Sequence, residues 1–256
     1  MPRKVGRGFA TASMSSRASD PSGRRRSNPY PSYYRALLEA YGRQRWWPAR
    51  SRFEVIVGAI LTQNVAWANV EKAIAALRRA GLLSPREMLK APVARLESLI
   101  RPAGFYRQKA RTLRRFLALL EGEHGMSLGR LLGQPAEALR SRLIDLRGIG
   151  PETADSIVLY AAGRPVFVID AYTRRVLGRH RLLGGRERYD EARRIIESAM
   201  PRRASLYGEY HALLVRVAKE RCHKNVPDCR GCPLERFLPA GGAPTASQLT
   251  STPCVG

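Results

Sequence analysis

Several ingredients are scarce in this sequence, and each shortage closes off a class of protein. Acidic residues are few: 21 Asp and Glu stand against 45 Lys and Arg, for a formal net charge of +24. So basic a chain is not built for a cationic partner, and a polyanion is indicated, nucleic acid first and an acidic membrane surface second. No apolar run approaches the roughly 18 residues that span a bilayer, so no membrane-crossing helix is expected. Four cysteines in 256 residues are too few for a disulfide scaffold. Sustained period-two alternation is missing, which argues against a half-buried sheet. What is present is a hydrophobic fraction of 44%, enough for a real core in one large or two small domains.

From Tyr30 onward the apolar spacing is helical, and an all-α protein of about ten helices is expected. Trp67, Val70, Ile74 and Leu77 follow the rhythm of one buried face. Ala110, Leu113, Leu117 and Leu120 form a second stripe that Gly122 would close, and Leu139, Leu143 and Leu146 a third. Ile195, Ile196 and Ala199 mark a later helix, and Leu206, Tyr210, Leu214 and Val217 the last long one. Ser84-Pro85-Arg86-Glu87 is a capping box with proline at the first helical position. Phe53 to Leu61 is apolar nearly all round, which predicts a central core helix.

Two short pieces carry chemistry. In Leu146-Arg147-Gly148-Ile149-Gly150-Pro151 the glycines permit a sharp turn and a close approach, and Pro151 suits a first helical turn. The free N–H groups of that helix make a small anion socket, sized for a phosphate. Twenty residues on, the apolar run Pro165 to Ile169 delivers one carboxylate, Asp170, to the start of another helix. Each piece alone also has a structural reading, a common glycine turn and an ordinary N-cap.

Their order and spacing, with Thr173-Arg174-Arg175-Val176 after Asp170, resemble the helix-hairpin-helix DNA glycosylase superfamily of endonuclease III across roughly residues 30–238. The resemblance implies a two-lobed all-α fold with a DNA-binding cleft between the lobes. It implies base excision repair of damaged bases in double-stranded DNA by a monomer, with Asp170 as the catalytic group. Gly148, Gly150 and Thr153 would hold DNA at the hairpin. Gln63, in Leu61-Thr62-Gln63-Asn64, would enter the duplex beside the extruded base. Phe105, in Gly104-Phe105-Tyr106, would be a second wedge, and Lys109 would reach phosphate. Bifunctional members carry a Schiff-base lysine where this chain has Glu152, and a carboxylate forms no imine. That departure implies a monofunctional glycosylase. Trp46-Trp47-Pro48, Leu-Thr-Gln-Asn and the Glu152 hairpin together look like the bacterial 3-methyladenine branch, with Trp46, Trp47 and Glu152 around the base. One tryptophan is expected in the core and the other on a cavity. An alkylated purine is cationic and gains from aromatic faces. Two further readings stay open: an endonuclease III-like glycosylase and lyase acting on oxidised pyrimidines with a lysine from elsewhere, and a non-catalytic DNA-binding module.

Cys222, Cys229 and Cys232 are spaced C-x6-C-x2-C, and the family often adds a fourth cysteine six residues later to hold a [4Fe-4S] cluster. Here that position is Leu238, and the remaining cysteine is Cys254. Three outcomes stand side by side: a cluster with Cys254 as fourth ligand, a cluster with an open or non-cysteine site, and relic cysteines. The expected organisation is a disordered basic tail over residues 1–28, a six-helix domain with the hairpin over 45–164, a second helical domain from 29–44 and 165–238, and a flexible tail over 239–256. A nucleoid-associated cytoplasmic location fits a bacterial source, and the Arg/Ser-rich start also fits an organelle transit peptide.

Overall fold

A computed structural model describes residues 28–244 of the chain. Most of the expected tails, residues 1–27 and 245–256 with Cys254, lies outside the described residues. Among the described residues there are twelve α-helices and no strand. Among the described residues, no helix is long and apolar enough to cross a membrane.

The helices gather around two apolar clusters. The first runs from Phe53 to Val166. It holds α2 (Arg52–Leu61), α3 (Trp67–Arg79), α4 (Pro85–Lys90), α5 (Val93–Leu99), α6 (Tyr106–His124), α7 (Leu128–Leu132) and α8 (Ala136–Ile144). The second joins Tyr30, Tyr33, Ala36 and Leu37 of α1 (Tyr30–Tyr41) to residues between Leu159 and Leu234. It is built on α10 (Ala171–Arg179), α11 (Tyr189–Ala199) and α12 (Ala204–Glu220). Between them, α9 (Pro151–Ser156) passes directly into a π-turn, Ile157–Ala161, and Tyr160 of that turn packs against both clusters.

The local chemistry explains these elements. Every residue of α2 from Phe53 to Leu61 is buried, and wholly enclosed side chains such as Ile56 and Ile60 each contribute about 1.5–3 kcal/mol. The polar exception, Glu54, is paired with Arg78 of α3 at 2.5 Å. Ser84 caps α4 by accepting from the Glu87 amide at 3.3 Å. Helix α6 does not stop at Gly122 as the stripe predicts. It continues to His124 and ends at Gly125, whose φ of +54° is the left-handed turn that releases a helix. Leu146 lies beyond the end of α8. Arg140 of α8 holds the buried Asp155 of α9 and Asp190 of α11, each at 2.6 Å, so one guanidinium ties the hairpin to the second cluster.

Candidate functional site

The hairpin is set by one glycine. Gly148 has φ +103°, and a Cβ there would lie 2.2 Å from Thr112 Oγ1 of α6. Gly150 differs: its φ of −91° suits any residue, and nothing lies within 4 Å of an added Cβ. The space before the first turn of α9 is therefore open.

Three expected DNA contacts are already engaged inside the protein. Lys109 is 3% exposed. Its ammonium donates to the carbonyls of Leu61, Gln63 and Ala103 at 2.8, 2.9 and 2.7 Å, and burial pushes its pKa down to about 8. With all three N–H groups spent, it does not reach phosphate. It anchors the turn after α2 to the turn before α6. Thr153 is also buried, and its hydroxyl accepts from the Gln63 amide at 2.9 Å. Gln63 donates as well to the Gly148 carbonyl at 3.0 Å, so it clasps the hairpin rather than projecting outward. The exposed polar side chain of that turn is Asn64, with φ +53°. Phe105 does project: it is 68% exposed, in a left-handed conformation at the start of α6.

Beside the hairpin opens a cavity of about 610 Å³, within the usual range of ligand pockets. Asp170, Glu152 and His211 line it together with Trp46, Trp47 and Trp67. Both tryptophans of the 46–47 pair reach the cavity, so neither is confined to the core. Trp67 completes the wall, with ring centroids 4.9 Å from Trp46 and 5.3 Å from Trp47. Lys219 and Lys224 stand elsewhere on the lining.

Asp170 does two jobs. Its Oδ1 caps α10 by accepting from the Thr173 amide at 2.6 Å. Its Oδ2 lies 3.4 Å from His211 Nε2. Burial would raise this carboxyl, but the His211 imidazole and the Thr173 amide outweigh burial and hold it below the usual range. Glu152 shows the opposite balance. Lost hydration, then the Asp170 charge, push it up to about 7, although its outer face meets solvent. Two carboxyl groups in one pocket are thus driven apart, one ionised and one half-protonated near neutrality.

Residues 57–202, more than half of the chain, match the family described as HhH-GPD superfamily base excision DNA repair protein. The chain belongs to this superfamily. It is a DNA glycosylase, and the reading as a non-catalytic module gives way. A relative from Methanocaldococcus jannaschii named "Putative DNA repair glycosylase MJ1434" is 42% identical over 80% of this chain and 93% of its own length. Endonuclease III of Thermotoga maritima is 26% identical over 70% of this chain and 79% of its own length. Among solved structures, a trapped endonuclease III–DNA covalent intermediate superposes with TM-score 0.70 at 22% identity, over 82% of this chain and 94% of that one. The 3-methyladenine DNA glycosylase of H. pylori bound to 1,N6-ethenoadenine gives TM-score 0.62 at 26% identity, over 75% and 97%.

In this glycosylase Cys222, Cys229 and Cys232 border one small pocket between α10, α12 and the following loop. Arg179, 1% exposed, donates to Cys222 Sγ at 3.2 Å and to the carbonyls of His223 and Lys224. A buried guanidinium on the Cys222 sulfur, at the edge of the pocket that all three cysteines border, suits an anionic thiolate centre. The donor set is one short of four, and among the described residues no group of three or more His, Cys, Asp or Glu converges as a metal site. Leu238 occupies the expected fourth position.

Sequence reasoning missed Tyr160, His211 and Arg179 and placed Trp67 in the core. Trp67 at the first turn of α3 carried a faint signal, as the remaining tryptophan near the pair. Nothing in the linear order connects residues 160, 170 and 211.

Proposed function

We propose that the protein is a monofunctional glycosylase that hydrolyses the N-glycosidic bond of an alkylated purine in double-stranded DNA. One observation carries the reading: Asp170 shares its cavity with three tryptophan rings, while the lyase-lysine position holds Glu152. A purine extruded from the duplex loses its stacking, and the rings replace it, with cation–π attraction favouring a base made positive by alkylation. As the C1′–N bond breaks, its electron pair leaves with the purine and positive charge grows on the sugar, opposite the Asp170 carboxylate. A water oxygen bonds to C1′ and yields its proton to Asp170, which passes it to solvent. Glu152, part-protonated near pH 7, offers an O–H donor to the base. The open turn at Gly148 and Gly150 supplies main-chain N–H groups to phosphate, and Phe105 fills the gap left in the duplex. The likeness to the H. pylori enzyme supports the purine assignment. Cys222, Cys229 and Cys232 are proposed as three ligands of a [4Fe-4S] cluster, a thiolate-bound centre that would fix the loop they share. The protein would act as a monomer.

A second reading rests on a specific observation. Lys219 and Lys224 line the same cavity, so an amine is at hand for a lyase of the endonuclease III kind acting on oxidised pyrimidines. Methylated duplex decides between the two. Base release with strand breaks only after alkali, and no complex trapped by borohydride, is the expected result. Efficient trapping on abasic DNA, lost in Lys219→Ala or Lys224→Ala, would install the lyase.

A further inference from the structure

Two groups beside the pocket are used by no step above. His211 of α12 is 6% exposed. Its Nδ1 lies 2.7 Å from the Tyr160 hydroxyl, and its buried Nε2 lies 3.4 Å from Asp170 Oδ2 with no hydrogen bond formed to any group. Tyr160 comes from the π-turn after the hairpin helix, and π-turns are often retained where a side chain must be re-aimed. Its ring is held from both sides. Trp47 of the aromatic wall lies 5.4 Å away. On α12, Gly208 leaves room for it, since a Cβ there would meet the Tyr160 ring at 3.3 Å. Trp47, Tyr160, His211 and Asp170 therefore form one line of contacts from base wall to carboxylate.

For a neutral His211 ring, proton bookkeeping along this line favours one arrangement. A neutral imidazole donates from one nitrogen and accepts at the other. The Tyr160 hydroxyl faces two acceptors, Nδ1 at 2.7 Å and the Gly208 carbonyl at 3.2 Å; donation to the nearer leaves the hydrogen on Nε2, beside a carboxylate that can only accept. The opposite tautomer would set the Nε2 lone pair against Asp170 Oδ2, two acceptors facing each other away from bulk water, which is costly. The shorter contact at one end and the acceptor at the other favour the same form.

We propose that Tyr160 and His211 are positioning residues for base release: Tyr160 fixes the His211 tautomer, and His211 presents Nε2–H to Asp170 Oδ2. With Oδ1 held by the Thr173 amide and Oδ2 facing the imidazole at 3.4 Å, an Nε2–H drawn onto Oδ2 would keep the carboxylate from swinging about its Cβ–Cγ bond. It stays aimed at the sugar, where a misplacement of about 1 Å costs up to roughly 10²-fold in rate.

The inference rests on Asp170 as the acting carboxylate but not on which base is released, and one arm of its test needs no substrate. In long-range proton–nitrogen spectra of ¹⁵N-labelled protein, the His211 ring is identified among four histidines by its loss in His211→Gln. Nε2 should carry a proton in wild type and exchange to a mixed state in Tyr160→Phe. An Nε2 without a proton in wild type overturns the proposal. The second arm measures single-turnover release from methylated duplex and affinity for a duplex with a stable abasic analogue. His211→Ala should lose about 10- to 10²-fold in rate with affinity unchanged. His211→Gln, whose amide N–H can replace Nε2–H, should recover part of it. An unchanged rate in His211→Ala, or parallel loss of rate, affinity and melting temperature without recovery in His211→Gln, overturns it. Absence of methyl-purine release by wild type would refute the substrate assignment alone, because the nitrogen spectrum still decides the tautomer.

Discussion

The tightest contact at the hairpin gives a prediction with a size. Gly148→Ala places a Cβ 2.2 Å from Thr112 Oγ1 and 3.2 Å from the Thr112 Cβ and Cγ2. Thr112 is 2% exposed, and its hydroxyl donates to the Gln108 carbonyl at 3.1 Å, so it has no free direction in which to turn. Overpacking of this kind costs about 1–3 kcal/mol. The φ of +103° at Gly148 adds about 1–3 kcal/mol for any residue with a side chain. The expected total is about 2–6 kcal/mol, a large share of the 5–15 kcal/mol that holds a typical domain, measured as the shift of the urea unfolding midpoint. The two parts separate in a double variant. Thr112→Ala removes the Oγ1 and Cγ2 and leaves only the Cβ contact at 3.2 Å, so Gly148→Ala/Thr112→Ala should regain most of the packing part and keep the backbone part. The Gly148 carbonyl also accepts from Gln63, so a displaced hairpin should bind every duplex more weakly, whatever lesion it carries. A Gly148→Ala protein within about 0.5 kcal/mol of wild type, the range of an ordinary surface change, would refute the reasoning, as would a double variant that regains nothing.

Asp170→Asn keeps the cap on Thr173, since asparagine caps helices as well as aspartate, and should retain DNA affinity while losing about 10²-fold or more in base release; normal turnover would remove Asp170 from the mechanism. Glu152 has a folded-state pKa raised from 4.5 to about 7, so its stabilising contribution is complete below pH 4.5 and lost as pH rises through 7. Thermal melts at pH 5 and 8 should show wild type losing about 1 kcal/mol relative to Glu152→Gln after screening at this water-facing position is allowed for, and a pH-independent difference would contradict it. Anaerobically purified protein should be brown, absorbing near roughly 400 nm as thiolate-bound iron–sulfur centres do; a colourless, iron-free preparation would favour relic cysteines, and bleaching by Cys254→Ala would make Cys254 the fourth ligand.

Much of the fold was legible in the sequence because helix burial is written at a fixed period. The run Phe53–Leu61 could only be a core helix, the stripes through α6, α11 and α12 appear where their spacing puts them, and α8 holds Leu139 and Leu143 but not Leu146. Helix ends were less legible. Gly122 looked like a stop, but a lone glycine within a helix costs only about 1 kcal/mol, and packing carries α6 on to Gly125. Asp170 was legible because the cap it makes is a local matter, settled within four residues.

What the sequence by itself determined is the set of parts: an all-helical chain, a glycine turn, one carboxylate at a helix start, a tryptophan pair and a basic balance that points to DNA. The tertiary structure alone decided how those parts are used. Lys109 has the composition of a phosphate ligand, yet its position behind the α2 and α6 turns gives it three carbonyls and no route outward. Gln63 meets Thr153 across 90 residues of chain, and Tyr160 meets His211 across 51. Such contacts leave no mark in linear order, because hydrogen bonding acts over about 3 Å and only the packing of separate helices brings those atoms within its reach.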